Sequence, residues 1–266
     1  MRRFISAILL ALVTALPPMA FAGSRDGSPP VLPAGEVATF ADRVQQDLAA
    51  RGARVAIVAR TGRDPADLPP GIQYTHVSYW VYSDIVDSDG RTGRGYRVYN
   101  LYQEAGAPNR SRLVQDGPAD FFAGAHRLDA GIIVPDIRLQ RKLLDVIASP
   151  TYAALHNANY AVLANPRSDR FQNCTEHTLD VLMASLYGTS DVRQIKANIG
   201  AHFQPQEIRL GGMKRLLAPV ASQDLTTADH GGAVATATFG SIARFMRAND
   251  LASEVVRITP RTVARF

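Results

Sequence analysis

The apolar positions of this chain change period several times, and each change predicts an element. Across residues 36–50, Phe40, Val44 and Leu48 recur at helical spacing, and Arg51-Gly52 closes that helix. Residues 54–60 (RVAIVAR) are a short apolar run suited to a buried strand. Residues 73–82 (QYTHVSYWVY) are rich in aromatic and β-branched side chains, as strands are. Asp89-Gly90 and two further glycines make 87–95 a hairpin loop, so 96–103 (YRVYNLYQ) is the partner strand. A further strand is predicted at 128–134, ended by Pro135, after which Asp136 caps a helix through Ala148. Residues 160–164 read as a short strand. Residues 174–187 read as a helix with Leu179, Leu182, Met183 and Leu186 as its core stripe and Gly188 as its stop. Helices are also expected at 190–199 and 239–248, separated by a segment rich in Gly, Pro and Thr that has no clear period. Asp116 and Asp120, around Gly117-Pro118, read as turn residues, and the pairs Gly211-Gly212 and Gly231-Gly232 as turns. Elements of both kinds with hairpin connections favour an α+β fold.

The N-terminus adds a compartment. Arg2 and Arg3, an apolar stretch over 4–16 and Ala20-Phe21-Ala22 have the form of a secretory signal, with cleavage expected after Ala22 and a periplasmic location. Pro17-Pro18 ends the apolar run too early for a membrane span, and no later segment is long and apolar enough to provide one. The expected organisation is a signal peptide at 1–22, a flexible leader at 23–35 and a single domain at 36–266, with 204–266 as a C-terminal extension of open organisation. The net charge is +5, and two of those charges are Arg2 and Arg3. So mild an excess, spread along the chain, argues against a nucleic-acid partner. No His-Glu-x-x-His, cysteine pair or phosphate-binding Gly-rich loop is present, so no metal or cofactor is expected. The pattern leaves the oligomeric state open.

One residue then changes the picture. Cys174 is the only cysteine, and it opens the helix predicted at 174–187. A lone thiol in an oxidising compartment cannot form an internal disulfide. At a helix start it meets unpaired N–H groups and the positive end of the dipole, which favour the thiolate and a pKa below the free value of about 8.5. Such a nucleophile needs a base and a group to orient that base. His76 lies mid-strand, where alternation puts it on one face with Tyr74, Ser78 and Trp80, and a strand holds a base rigidly. Asn100, on the partner strand, could set its tautomer, with Tyr99 and Tyr102 as equal geometric candidates. His177, three residues after the cysteine on the same helix face, competes as base or tunes the thiol. Gln172 and Asn173 could help the Cys174 N–H hold an oxyanion, or Asn173 could cap the helix. A buried, silent thiol is the competing reading of Cys174.

Two resemblances bear on this. A strand histidine in Tyr74-Thr75-His76-Val77, followed by a helix-start cysteine in Asn173-Cys174-Thr175-Glu176-His177, resembles the permuted papain-like fold of the circularly permuted NlpC-type hydrolases and the lecithin–retinol acyltransferase-like proteins. That resemblance implies a small antiparallel sheet packed on the cysteine helix, Cys174 as nucleophile, His76 as base and a polar strand residue as orienter. The second group commonly reads Asn-Cys-Glu-His, whereas here Thr175 moves the histidine to the third position after cysteine. More extensively, the words RVAIVARTGR, LPPGIQYTHV, YNLYQ, LVQDGPADFF, ASPTYAALHN and QNCTEHTLDVL make residues 53–203 similar to an uncharacterised family of exported bacterial proteins. The expected function is a cysteine hydrolase or acyl transferase acting on amide or ester bonds. Cell-wall peptide is favoured over acyl-lipid as substrate, and a non-catalytic binding or structural protein of the same fold is the alternative.

Overall fold

A computed structural model describes residues 30–86, 89–209 and 225–266. The signal segment, most of the leader and Gly211-Gly212 lie outside these residues. Helix α1 (Ala34–Ala50) follows Pro33 and turns Val37, Phe40, Ala41, Val44 and Leu48 inward. Its end at Gly52 has φ +65°, which glycine adopts without strain. Strand β1 (Val55–Arg60) is buried along its whole length, because it is the central strand and helices cover both its faces. Strands β2 (His76–Val86), β3 (Thr92–Glu104) and β4 (Ala107–Asp116) extend the sheet to one side as a meander. Helix α2 (Pro118–Ala123) leads to β5 (Ala130–Pro135), which pairs with the other edge of β1.

Helices α3 (Ile137–Ile147) and α4 (Pro150–Ala154) then cross one face of the sheet. Asp136 caps α3 through the Arg138 and Leu139 N–H groups, as its position predicted. Helix α5 (Cys174–Tyr187) matches its expected bounds and is buried on nearly every side, and α6 (Val192–His202) packs beside it. Short strands β6 (Gln206–Glu207) and β7 (Ala235–Thr236) pair with each other. Helix α7 (Phe239–Ala248), β8 (Ala252–Ile258) and β9 (Val263–Arg265) complete the chain. The sheet order is β4-β3-β2-β1-β5-β8-β9, and every neighbouring pair is antiparallel. The fold is therefore α+β with an antiparallel sheet, of seven strands among the described residues rather than a small one. Residues after 204 are built into it, since β8 pairs with β5.

Alternation along the strands divides the core. Val55, Ile57, Ala59, Val77 and Tyr79 face α3, α5 and α7, while Ala56, Val58, Trp80 and Val98 face α1 and α2. One expectation does not hold, and one strand was not expected. The apolar run at 160–164 makes only a single bridge, Tyr160 to Gln172, and then turns, with the Ala164 N–H on the Ala161 carbonyl. Strand β4 had no expected counterpart: it is an edge strand on which only Ser111 is buried, so it carries no hydrophobic alternation. Among the described residues no helix is long and apolar enough to cross a membrane.

Candidate active site

The β2–β3 ladder runs from Tyr79–Tyr99 to Val86–Thr92, so the first residues of β2 have no partner on that side. Beyond Tyr99, β3 pairs only with β4. The candidate site occupies this opening. The Tyr82 N–H bonds the Arg54 carbonyl at 2.9 Å, so even-numbered residues of β2 turn their N–H toward β1. The Val77 N–H therefore points into the opening, where it meets the sulfur of Cys174. That sulfur also lies 3.9 Å from the Thr75 carbonyl oxygen and 3.8 Å from Thr175 Oγ1. The thiol is thus lodged against the backbone on both sides of His76.

Asn173 sets the position of Cys174. Its Oδ1 accepts the Glu176 N–H at 2.9 Å and caps α5, and its Nδ2 donates to the Val162 carbonyl at 2.9 Å and to Thr236 Oγ1 at 3.4 Å. Gln172 is equally engaged: its Nε2 donates to the Leu155 carbonyl at 3.0 Å and to Asp180 Oδ2 at 2.9 Å, and its Oε1 accepts the Asn157 N–H. Neither amide is left to face an oxyanion, contrary to the sequence expectation. Of the first backbone N–H groups of α5, that of Glu176 is taken by Asn173 and that of Thr175 meets the sulfur. His177 points elsewhere. Its Nε2 bonds the Tyr152 carbonyl oxygen at 3.2 Å, and burial holds its pKa down at about 3.

The charge state of Cys174 also departs from expectation. Burial pushes the thiol pKa up, and the Val77 N–H, the Thr175 hydroxyl and N–H and the positive charge of Arg60 oppose this without overcoming it. The sequence exposes the helix start but not the packing above it. His76 is fully buried, its ring stacked on Tyr102 at 4.9 Å and tilted against Phe121 at 5.4 Å. Burial, and then Arg60, hold its pKa well below the usual 6.5, so the imidazole is neutral. Its Nε2 lies 2.9 Å from Asn100 Oδ1, and its Nδ1 has no hydrogen-bond partner among the described residues. The structure thus brings His76 and Asn100 together across the opening. It does not join His76 to Cys174 by a hydrogen bond.

Three further residues complete the surroundings: Arg60, which no sequence pattern marks, Tyr102, which the sequence offers as an alternative to Asn100, and Asp116, which reads there as a turn residue. Arg60, opposite His76 in the β1–β2 register, lies over the Phe121 ring at 5.4 Å and fills the space beside Gly124, where a Cβ would stand 2.7 Å from its Cζ. Tyr102 and Asn100 both donate to Asp116, at 3.1 Å to Oδ2 and 2.7 Å to Oδ1. Asp120 does act in the turn, accepting the Gly117 N–H at 3.1 Å, but Asp116 belongs to the site. No local pattern marks Asp116, because its partners are brought to it by the register of β3 on β4, in which it faces Val98.

Burial raises the Asp116 carboxyl from 3.8 to about 7, with Asp120 adding to the effect and Tyr102, Arg60 and Asn100 opposing it. The folded state thus binds this proton more tightly than the unfolded chain. Its contribution is favourable at low pH and is lost as pH rises from about 4 to about 7. Asp116→Asn is expected to flatten that part of the stability–pH curve, measured by urea denaturation at several pH values; an unchanged slope would assign the titration elsewhere.

Beside the sulfur is a cavity of about 50 Å3, lined by Thr75, Asn173, Cys174 and Thr236 and by the apolar groups of Ile72, Tyr160, Val162 and Ile208. His76 is not part of its wall. The sequence model of a family described as "Uncharacterized protein conserved in bacteria (DUF2145)" matches residues 47–246. The chain matches no curated protein and no solved structure.

Proposed function

Because the chain belongs to this uncharacterized bacterial family, whose description names no reaction, we propose from the site itself that the protein is a thiol-dependent hydrolase or acyl transferase of permuted papain-like kind. One observation carries the reading. A helix-start cysteine is lodged against the backbone flanking a strand histidine whose Nε2 is held by an asparagine and whose Nδ1 is unpartnered.

In this reading the resting pair is neutral. As a substrate carbonyl enters the cavity, Cys174 Sγ forms a bond to the carbonyl carbon and His76 Nδ1 takes the thiol proton. The gap between sulfur and imidazole closes at that step, since catalytic hydrogen bonds commonly tighten only with substrate bound. The Cys174 N–H at the start of α5 holds the oxyanion. The amine or alkoxide leaving group departs with the proton from His76. Water, or an acceptor nucleophile, then releases the acyl group from sulfur.

The cavity bears on the substrate. About 50 Å3 is a small space, with room beside the sulfur for only a few water-sized groups. It has room for a small acyl group or a peptide carbonyl beside the sulfur. Together with the signal-like N-terminus, this favours short cell-wall peptide amides in the periplasm over acyl-lipids. A second reading draws on the raised thiol pKa and the missing sulfur–imidazole bond: a binding or structural protein with a silent cysteine.

One experiment separates the two. p-Nitrophenyl acetate should acetylate Cys174, as read by mass spectrometry of the intact protein and its peptides. His76→Ala should slow that step by about 10²–10⁴-fold, the range ascribed to a positioned base. Acetylation that spares Cys174, or that is indifferent to His76, would leave the binding-protein reading in place.

A further inference from the structure

We propose that Asp116 is a positioning residue for His76, acting through Asn100. The catalytic meaning of this inference rests on the thiol–imidazole reading above, but its structural content does not. Asn100 bridges two groups, with Oδ1 at 2.9 Å from His76 Nε2 and Nδ2 at 2.7 Å from Asp116 Oδ1. An asparagine amide can face either way, and its orientation is decided by what its neighbours accept or donate. A carboxylate oxygen only accepts. Asp116 therefore obliges the Asn100 NH2 to point toward it, and the amide carbonyl must then face the imidazole.

A carbonyl facing Nε2 requires that Nε2 carry the proton, since the other tautomer would set two lone pairs against each other. The neutral ring then has its lone pair at Nδ1, the atom without a partner among the described residues. Asp116 is itself fixed by the Tyr102 hydroxyl at 3.1 Å, and the Tyr102 ring stacks on His76. The chain Asp116–Asn100–His76 thus selects the tautomer able to receive a thiol proton. Above about pH 7, where Asp116 is ionised, it also sets a negative charge, one amide away, behind the imidazolium that forms.

The groups that act on Asp116 come from several elements. Arg60 of β1, Tyr102 of β3 and Asp120 of α2 influence it directly. Asp42 of α1 and Arg97 of β3 line the same surface depression. A merely structural Asp116 would anchor Tyr102 and the sheet end and leave the imidazole tautomer to chance.

The test is long-range 1H–15N correlation spectroscopy of the whole chain uniformly labelled with 15N, above the Asp116 pKa of about 7. Wild type should show a bare, pyridine-type Nδ1 and a protonated Nε2 at His76. Asp116→Asn, whose carbonyl still accepts, should keep that pattern, and Asp116→Leu should lose it to a mixture containing Nδ1–H. If the leucine variant does not fold, wild type alone decides. On lowering pH through about 7, the Asn100 Nδ2 and His76 Nε2–H resonances should move with one shared midpoint. His76 itself does not protonate there, because burial holds it well below 6.5. An Nδ1–H ring in wild type, an unaltered tautomer in a folded Asp116→Leu chain, or resonances that ignore the Asp116 titration would each overturn the inference. Cys174→Ser should give the wild-type spectra. A failed acetylation test with these spectra intact would therefore remove the hydrolase reading and leave the positioning role standing.

Discussion

Lys196→Met is expected to remove about 3–5 kcal/mol of stability, the usual result of stripping one partner from a buried ionic cluster. The Lys196 ammonium on α6 lies 2.6 Å from Glu176 Oε1 and 2.8 and 2.9 Å from the two oxygens of Asp180. Both carboxyls stand on the first turns of α5, directly behind Cys174, and all three side chains are buried. Burial works against the lysine charge, but the two acids more than offset it and raise the Lys196 pKa. The same burial pushes both carboxyls up, Glu176 well above its usual range. Methionine would fill the volume of the lysine stem and leave two acids facing each other without a cation. A carboxyl whose pKa is raised in the folded state is tolerated at low pH and costs stability as pH rises. The deficit of Lys196→Met should therefore be smaller at pH about 5 than at pH about 8 in urea denaturation. Glu176→Gln should cost much less than Lys196→Met, because one carboxylate then balances one ammonium. Equal losses at both pH values would show that the cluster is held by packing rather than charge.

Gly131→Ala is expected to cost about 1–3 kcal/mol, the range for forcing extra atoms into a filled core. A Cβ there would stand 2.6 Å from Tyr74 Cε2 and 2.8 Å from two carbons of the Phe239 ring. Neither ring moves easily. The Tyr74 hydroxyl donates to Asp129 Oδ1 at 3.1 Å, and Asp129 is itself paired with Arg257 and Arg127 at 2.6 and 2.9 Å. Phe239 is buried and packs edge-on against Tyr74. Since Tyr74 also lines the cavity beside Cys174, the substitution should slow acetylation as well as lower the denaturation midpoint. A normal midpoint with slowed acetylation would mean that Tyr74 yields into the cavity instead of the sheet yielding around it.

What the sequence made legible follows from how local each feature is. The bounds of α5 were readable because both its signals are adjacent in the chain, the Asn173 cap and Gly188, whose φ of +64° suits glycine. The same holds for Asp136 before α3. The run at 160–164 misled because five buried apolar-rich residues in a turn look like five in a strand, and burial rather than ladder pairing sets that composition. Strand β4 was invisible for the converse reason, being paired but exposed. Within the site, the reading put His76 and Asn100 on neighbouring strands, but alternation also set Tyr74 on the face of His76 and Trp80, whereas Tyr74 packs in the opposite core. The Asp116 contact and the splayed ladder were not legible, because both depend on register between elements. The thiol pKa was misjudged because the helix-start effect is written in the sequence around Cys174 and the burial that outweighs it is not.

The order of strands carries a consequence for how the chain reaches this state. β1 through β4 are consecutive in sequence and pair as neighbours, so they require little loop closure and can zip early. The helix that plugs the opening between β2 and β3 belongs to a later stretch, and β5 waits for β8 near the far end of the chain. While the chain folds, the meander can therefore exist with its gap unfilled, presenting the bare Val77 edge and a half-formed polar pocket to solvent. An unpaired strand edge in a partly folded chain invites association with other chains. The docking of α5 then does two things at once, ending that kinetic hazard and installing the cysteine. Any assistance given to this protein's folding would matter most in the interval before residue 174 arrives.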